Sequence, residues 1–180
     1  MTTAPDEVVD RITSYIQHNA GKEPQALRAL VEQGHVQLTG LLDGLTAEQA
    51  AFKPAPDVWS VMELLQHVTT AKRGVARICA QLTRGEQPAG LGREGDEQDG
   101  VMGPKTFASL AEARGVLETA HQELLDFVDG LSATADLDAR FNHFLFGDLN
   151  CREWAAFQRV HDGDHSNQIG QIMAAPGFPQ

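Results

Sequence analysis

Two histidines near the C-terminal end of the sequence have the spacing of a metal-binding pair. His161 and His165 lie four residues apart in the segment RVHDGDHSNQI, which has the apolar periodicity of a helix. Residues i and i+4 of a helix point to the same side, with Cβ atoms about 5–6 Å apart, so two imidazoles in these positions can bind one cation. We therefore take this pair as the first candidate ligands.

A third histidine, His67, lies on a separate amphipathic segment, WSVMELLQHV. Three histidines from two helices would leave one coordination position of a metal open, as in catalytic zinc sites. The alternative is that each histidine is an ordinary part-buried side chain bonded to a neighbour. A buried imidazole without a partner costs about 1–3 kcal/mol, and a shared cation would satisfy all three at once. The residues by themselves leave both interpretations open.

Two polar residues beside the pair are candidate supports for it. Asp164 flanks the site, where its carboxylate would orient an imidazole or act as a base. Gln168, one turn after His165, is either a hydrogen-bond partner of a ligand or a simple polar helix position. Asp162, between the two histidines, is predicted to point to solvent. No catalytic residue is assigned beyond these candidates.

The remaining histidines are weaker candidates. His121 lies near the edge of its apolar stripe and is predicted to be solvated, the alternative being that it faces the same cavity. His143 lies in the segment ARFNHFLFGDLN, predicted as an aromatic-rich loop, and is expected to pack there rather than to line a pocket mouth. His18 and His35 are predicted to be surface residues. None of the four is included in the candidate site.

Composition and charge restrict the possible partners. The chain has 180 residues, of which 42% are hydrophobic, enough for one domain with a single core. The formal net charge of −11 argues against nucleic acid and anionic membranes as partners, since both attract Lys and Arg clusters. No apolar run approaches the roughly 18–20 residues of a membrane span, and the first residues lack the pattern of a signal peptide. With Cys79 and Cys151 in no CxxC spacing, we expect a reducing, cytoplasmic setting.

The elements that must position these histidines are helices, because apolar residues recur with helical spacing nearly everywhere. Ser60 and Glu63 form a capping box at one helix start, and Asn150 and Glu153 have the same relation at the start of the last helix. The predicted helices cover about 6–18, 24–45, 60–82, 109–130 and 150–173.

Four long amphipathic helices around one core predict an all-α four-helix bundle, preceded by a short N-terminal helix. The segment from Arg84 to Lys105 is rich in Gly, Glu, Asp and Gln and is predicted to be a long polar connection. It is too long for a simple turn between neighbouring helices. It fits a crossover that makes the second and third bundle helices parallel.

Two stretches of the sequence resemble the DinB/YfiT-like superfamily of metal-dependent proteins. They are LTAEQAAFKPAPDVWSVMELLQHV and FNHFLFGDLNCREWAAFQRVHDGDHSNQI. The resemblance rests on the proline-rich approach to a Trp-Ser helix start, the histidine seven residues after that serine, the FG…REW segment and the final H-x-x-x-H-x-x-Q-I. It covers about residues 24–175 of a single domain that is predicted to span 1–180.

The resemblance implies an up-down-down-up four-helix bundle with the long crossover between bundle helices 2 and 3. It also implies a divalent metal ion (Zn, Ni, Fe or Mn) held by His67, His161 and His165. Family members include transferases and isomerases that use low-molecular-weight thiols, and dimers are common among them. We therefore expect a homodimer that acts on a small molecule with such a thiol as co-substrate.

The sequence leaves two functional hypotheses open. The first is a metal-dependent enzyme, an S-transferase or hydrolase in which the metal activates a thiol or a water. The resemblance alone favours thiol transfer over hydrolysis. The second is a non-catalytic stress-response protein in which the metal stabilises the fold or is sensed. Metal-dependent turnover would favour the first hypothesis, and a large melting shift without turnover would favour the second.

Overall fold

A computed structural model of the chain describes residues 6–88, 107–131 and 137–180. These residues form helices and one β-hairpin, and none of the described helices has the length and hydropathy that a membrane span needs. The helices are α1 (Asp6–Ala20), α2 (Pro24–Gly40), α3 (Ala47–Ala51), α4 (Val61–Leu82), α5 (Leu110–Asp129) and α6 (Cys151–Met173). The hairpin consists of β1 (Arg140–His143) and β2 (Gly147–Asn150).

Capping boxes start the two helices that carry the candidate ligands. The Ser60 hydroxyl accepts a hydrogen bond from Glu63 N, and the Glu63 carboxylate accepts one from Ser60 N. Asn150 and Glu153 form the same reciprocal pair at the start of α6. Each box satisfies backbone N–H groups that a helix start leaves without partners. Both predicted helix starts are confirmed, and they set where the residues of α4 and α6 face.

Two apolar clusters fill the bundle along its length. The first combines the early turns of α2 and α6 with the late turns of α4 and α5. The second combines the opposite halves of the same four helices. Representative members of the first cluster are Leu27, Val31, Val75, Ile78, Leu124 and Trp154. Representative members of the second are Leu38, Leu65, Val68, Leu117 and Ile169.

Ion pairs at both ends join α2 to α5. Arg28, near the start of α2, donates to the carboxylate of Asp129 at the end of α5, with an N···O distance of 3.2 Å. Arg114, near the start of α5, donates to Asp43, which lies just beyond the end of α2, at 2.8 Å. The two helices therefore contact each other over most of their length.

The segment 139–150 was predicted as an aromatic-rich loop, and residues 140–150 form a β-hairpin instead, which adds a small β element to a fold that was expected to be all-α. The strand register pairs His143 with Gly147 across the turn. Gly147 has a φ of +72°, a conformation that glycine adopts at little cost. The imidazole Nδ1 of His143 accepts the backbone N–H of Leu145 and so satisfies the turn. Strands of four residues are too short for an alternating pattern to stand out in the sequence.

The second helix is shorter than predicted. Its apolar stripe was expected to run to Leu45, but α2 ends at Gly40 and the chain turns before α3. The short helix α3 starts with a capping box between Thr46 and Gln49. The stripe continues past the helix end because the turn residues also pack in the second apolar cluster. Most of the predicted polar connection 84–105 lies outside the described residues.

Candidate metal centre

His67, His161 and His165 converge on one point between α4 and α6, and we call them the trihistidine cluster. The Nε2 atom of His161 lies 3.2 Å from Nε2 of His67 and 3.2 Å from Nε2 of His165. The possible ligand atoms of the three side chains all lie within 4.8 Å of one another. Among the residues that the structure describes, this is the one group of His, Cys, Asp and Glu with metal-site spacing.

Helix geometry brings these rings together. His161 and His165 are one turn apart on α6, and their ring centroids are 4.4 Å apart in an edge-on arrangement. His67 reaches across from α4, with ring centroids 5.2 Å and 4.8 Å from the other two. The i and i+4 spacing therefore supplies two of the converging nitrogens, and the packing of α4 on α6 supplies the third.

Gln168 and Asp164 hold one of the rings in place. The Oε1 atom of Gln168 lies 3.3 Å from Nδ1 of His165, which identifies Nδ1 as the N–H donor of that ring. The Nε2 amide of Gln168 in turn donates to Asp164 Oδ2 at 2.7 Å. The His165 proton therefore lies on the side away from the cluster, and its Nε2 lone pair faces His161. Asp164 acts on the ring through Gln168 and not by direct contact.

Burial keeps the three imidazoles uncharged. Desolvation lowers the pKa of His67 to about 4, and the nearby His165 adds to the effect. Burial also lowers the pKa of His161 well below its usual value and lowers that of His165. A neutral imidazole is the form that binds a metal ion. All three rings are therefore in the ligand-competent state at neutral pH.

The arrangement of the Nε2 atoms fits a cation better than a set of mutual hydrogen bonds. A neutral imidazole has one N–H, and that of His165 is already at Nδ1, so its Nε2 can only accept. Nitrogens bound tetrahedrally at about 2.0–2.1 Å from zinc lie about 3.3–3.4 Å apart, close to the two 3.2 Å separations that His161 makes with His67 and His165. Three histidines also leave a fourth coordination position for a water or a substrate.

Aromatic side chains border the trihistidine cluster on two sides. The Trp59 ring centroid lies 5.1 Å from that of His67, and the Phe157 centroid lies 5.4 Å from that of His161. His143, at the end of β1, stacks on Phe146 at 4.7 Å and is buried, which agrees with the predicted packing role. This surrounding lowers the local polarity, which strengthens electrostatic interactions with any charge in the site.

A layer of buried polar side chains separates the two apolar clusters, and we call His35, Lys72, His121 and Asp162 the polar layer. Lys72 Nζ donates to Asp162 Oδ2 at 2.5 Å, and both side chains are 0% exposed. The prediction that Asp162 points to solvent is therefore wrong. At its position on α6 the Asp162 side chain faces α2 and α4. Gly34 on α2 leaves room for this side chain, because a Cβ added to Gly34 would lie 3.2 Å from Asp162 Cβ.

The predictions of a surface His35 and a solvated His121 are also wrong. Their rings stack with centroids 3.7 Å apart and planes inclined by 6°, and both residues are buried. His35 Nε2 lies 2.8 Å from the carboxylate of Glu118 at the bundle surface. Burial lowers the pKa of both rings, that of His121 to about 3. His18, in contrast, is exposed on α1 as predicted.

A sequence signal indicates burial for three members of the polar layer: His35, Lys72 and His121 each have an apolar residue four positions before and three positions after them. Each member takes a core position of its helix, with a buried residue four positions before it and another three positions after it. The buried triplets are Val31, His35 and Leu38; Val68, Lys72 and Val75; Leu117, His121 and Leu124; and Gln158, Asp162 and His165. A helical residue so placed lies on the core-facing stripe whatever its polarity.

The fold and the site together define a helical-bundle protein with a candidate three-histidine metal centre. The chain belongs to the DinB superfamily, whose family model matches residues 30–169. A solved structure described as TT2238, a four-helix bundle protein, is similar to this chain with a TM-score of 0.60 and 19% sequence identity. The match covers 81% of this chain and 96% of that one, and it supports the fold. A comparison with curated proteins finds no match.

Proposed function

We propose that this protein binds a divalent cation through His67, His161 and His165 and is a metal-dependent enzyme of S-transferase or hydrolase type. The observation that carries the proposal is the convergence of three neutral Nε2 atoms at metal-ligand spacing. Membership of the DinB superfamily supports it. Imidazole ligands suit Zn, Ni and Fe, and we include Mn among the candidates.

Each residue of the site has a role in this proposal. A divalent ion with three neutral ligands would lower the pKa of a water or of a low-molecular-weight thiol in its open position. His67, His161 and His165 present their Nε2 lone pairs to it. Gln168 keeps the His165 proton on Nδ1, and Asp164 orients Gln168 through the 2.7 Å hydrogen bond. Thiol transfer is proposed ahead of hydrolysis on the family resemblance.

The test of metal binding compares the purified protein with His161→Ala and His67→Ala. We expect elemental analysis to find close to one divalent ion per chain in the wild type and almost none in either variant. His18→Ala is the matched control, since that histidine is exposed on α1, and it should retain the ion. A wild-type protein that takes up no ion, or variants that retain it, would refute the proposal.

Turnover separates the enzyme from the alternative of a non-catalytic metal-binding stress-response protein. The loaded protein is assayed with a panel of low-molecular-weight thiols and electrophilic acceptors and with ester substrates, before and after chelation. Turnover that chelation and His161→Ala abolish supports the enzyme. A large rise in Tm on metal binding without any turnover supports the alternative.

We also propose the up-down-down-up order for the bundle, within a single domain over 1–180. The ion pairs that join the start of α2 to the end of α5 support opposite directions for those helices. Cys79 Sγ near the end of α4 donates to the carbonyl of Cys151 at the start of α6, which supports opposite directions for that pair. The contact between Gly34 and Asp162, each near the middle of its helix, supports a side-by-side packing of α2 and α6.

The last part of the proposal concerns the cellular location, the oligomeric state and the partners of the protein. We propose a cytoplasmic homodimer that acts on a small molecule and does not bind nucleic acid or membranes. The net charge of −11 supports the absence of polyanionic partners, because their binding depends on Lys and Arg. Light scattering coupled to size-exclusion chromatography tests the dimer, and a single peak at the mass of one chain would contradict it.

A further inference from the structure

A groove beside the trihistidine cluster has the size of a small-molecule site. It has a volume of about 490 Å³ and lies between the loop that precedes α4 and the last turns of α6. Small-molecule pockets typically enclose about 300–1,000 Å³ and combine an apolar lining with a few polar groups. The wall here includes the apolar Trp59, Leu64 and Ile172 and the polar Asp57, Gln168 and Gln171.

Two wall residues join the groove to the histidines. Trp59 lies with its ring centroid 5.1 Å from that of His67. Gln168 contacts the groove and also lies within hydrogen-bond distance of Nδ1 of His165. A molecule in the groove is therefore one side chain away from the atoms proposed to hold the cation.

Trp59 presents a partly exposed indole on the groove wall. It is 38% exposed, whereas the other tryptophan, Trp154, is fully buried. The indole of Trp154 donates to the Phe141 carbonyl, which explains its position in the core. An exposed indole on a pocket wall offers a flat apolar surface and a favourable face for a cation.

The charge around the groove is negative. Asp57 is the charged residue of its wall, and Asp164 lies one turn away on α6, bonded by Gln168. Lys53, which precedes the wall residue Pro54 in the chain, pairs its ammonium with Glu63 at 2.9 Å. The chain as a whole carries a formal charge of −11. In the metal-free protein, such a groove attracts cations and repels carboxylates and phosphates.

We propose that this groove is the substrate pocket and that it takes a small molecule with a ring-sized apolar body and a protonated amine. The apolar body stacks on Trp59, and the amine lies near Asp57. The assignment of the groove to a substrate rests on the proposed metal-dependent function. The binding preference itself depends only on the groove, so it can be measured on metal-free protein.

The test uses three probes that share a phenylethyl body and differ in charge: phenethylamine, 2-phenylethanol and 3-phenylpropanoate. Each is titrated into metal-free protein while tryptophan fluorescence is recorded. Subtraction of the same titration on Trp59→Phe isolates the Trp59 signal. We expect the amine to bind about two- to fivefold tighter than the alcohol, the strength of an exposed ion pair, and the carboxylate to bind most weakly.

Two variants and one control make the test decisive. Asp57→Asn should reduce the binding of phenethylamine to that of the alcohol, whereas Asp10→Asn, an exposed residue on α1, should change nothing. Gln171→Phe, at an exposed position of α6, should fill the groove without adding a second tryptophan signal and weaken all three probes at least tenfold.

Three results would overturn the proposal. They are a carboxylate that binds as tightly as the amine, an amine preference that survives Asp57→Asn, and the absence of any Trp59 response at the solubility limit of the probes. Elemental analysis of the same preparations reports on the metal centre separately. A protein that binds metal but not the amine therefore retains the proposed function and loses only the pocket.

Discussion

The bundle contains two groups of buried polar side chains that differ in how their atoms are satisfied. In the polar layer, unlike groups meet: the Lys72 ammonium contacts the Asp162 carboxylate, and His35 contacts Glu118. In the trihistidine cluster, three like groups present the same atom, Nε2, to one another. The layer pairs its opposite charges, although Asp162 Oδ1 and the Nδ1 atoms of His35 and His121 have no hydrogen-bond partner among the described residues, whereas the cluster contains no group of opposite charge and is the candidate site for a cation.

The difference is the one expected between a structural polar core and a candidate metal-binding site. Complementary charges inside a bundle offset part of their desolvation and fix one packing of the helices. Converging lone pairs of the same kind repel unless something positive lies between them. Because His161 and Asp162 are neighbours in α6 and belong to different groups, a single turn of helix serves both purposes. Each group can therefore be perturbed by its own substitutions.

The largest effect is expected from removing one charge of the layer. Asp162→Asn leaves the Lys72 ammonium buried without its counter-ion, and such a change costs about 3–5 kcal/mol of unfolding free energy. Urea unfolding measured at constant metal content reports the loss. If the layer is structural, the protein should be strongly destabilised even when no metal is bound.

The double variant Lys72→Met with Asp162→Asn sharpens this result. It removes both charges, so the cost of an unpaired buried ammonium disappears and only the smaller cost of a buried amide, about 1–3 kcal/mol, remains. Asp43→Ala, which breaks the exposed pair with Arg114, is the control and should cost no more than about 1 kcal/mol. A double variant as unstable as the single one would mean that packing, and not charge, governs the layer.

The second prediction concerns the residue that orients a ligand. Gln168→Ala removes the acceptor for His165 Nδ1, and the loss of such a partner typically lowers metal affinity about 10- to 100-fold. A competition titration with a coloured chelator measures the affinity. Gln168→Glu keeps an acceptor and should restore much of it, whereas Asn167→Ala, at an exposed neighbouring position, should have no effect. Equal affinity in Gln168→Ala and wild type would show that the hydrogen bond does not position the ring.

The sequence was sufficient for the five longer helices and for part of the site, but not for the hairpin, the end of α2 or the short helix α3. Capping residues such as Ser60 and Asn150 and the apolar stripes act within a few residues, so helix starts follow from local chemistry. The pairing of His161 with His165 is likewise local. The participation of His67 depends on the packing of α4 against α6, so the residues alone made it a candidate third ligand and the resemblance to a family favoured it over the alternative.

The polar layer escaped prediction because its partners are remote in sequence. Lys72 and Asp162 are separated by 90 positions, and His35 and Glu118 by 83. A charged residue is almost never buried unless it is paired, so each one alone is best interpreted as exposed. The spacing of the apolar neighbours indicated burial, whereas the charged or polar residue type indicated exposure. Only knowledge of the complementary partner would have decided in favour of burial.

The third prediction uses pH to distinguish the layer from an apolar core. The pKa of His121 falls to about 3 on folding, mainly through burial, with the positive charges of Lys72 and Arg28 and the neighbouring His35 also lowering it. Its unfolded pKa is about 6.5. Because the folded pKa is the lower one, stability is complete above about pH 6.5 and is lost as the pH falls towards 3.

For one such histidine the loss between pH 7 and pH 5 is about 2 kcal/mol. The variant His121→Phe keeps a ring stacked on His35 but has no site for a proton. Between pH 7 and pH 5, its unfolding free energy should therefore decrease by about 2 kcal/mol less than that of the wild type. Denaturant unfolding of the metal-free protein at several pH values measures the slope. His18→Phe, on an exposed residue, should retain the wild-type slope.

The smallest effect separates close packing at the layer from helix propensity elsewhere. Gly115, on α5, has no atom within 4 Å of an added Cβ, so Gly115→Ala should stabilise the protein by about 0.5–1 kcal/mol.

Gly34→Ala gains the same helix propensity, but its Cβ would lie 3.2 Å from Asp162 Cβ and 3.3 Å from Asp162 Oδ2. Since Lys72 holds that carboxylate, the contact is relieved only at the expense of the ion pair, and crowding in a packed core costs about 1–3 kcal/mol. Gly34→Ala should therefore be neutral or destabilising in the same thermal melts in which Gly115→Ala raises the Tm. In the Lys72→Met, Asp162→Asn background, where the side chain is free to shift, the difference between the two glycine variants should narrow.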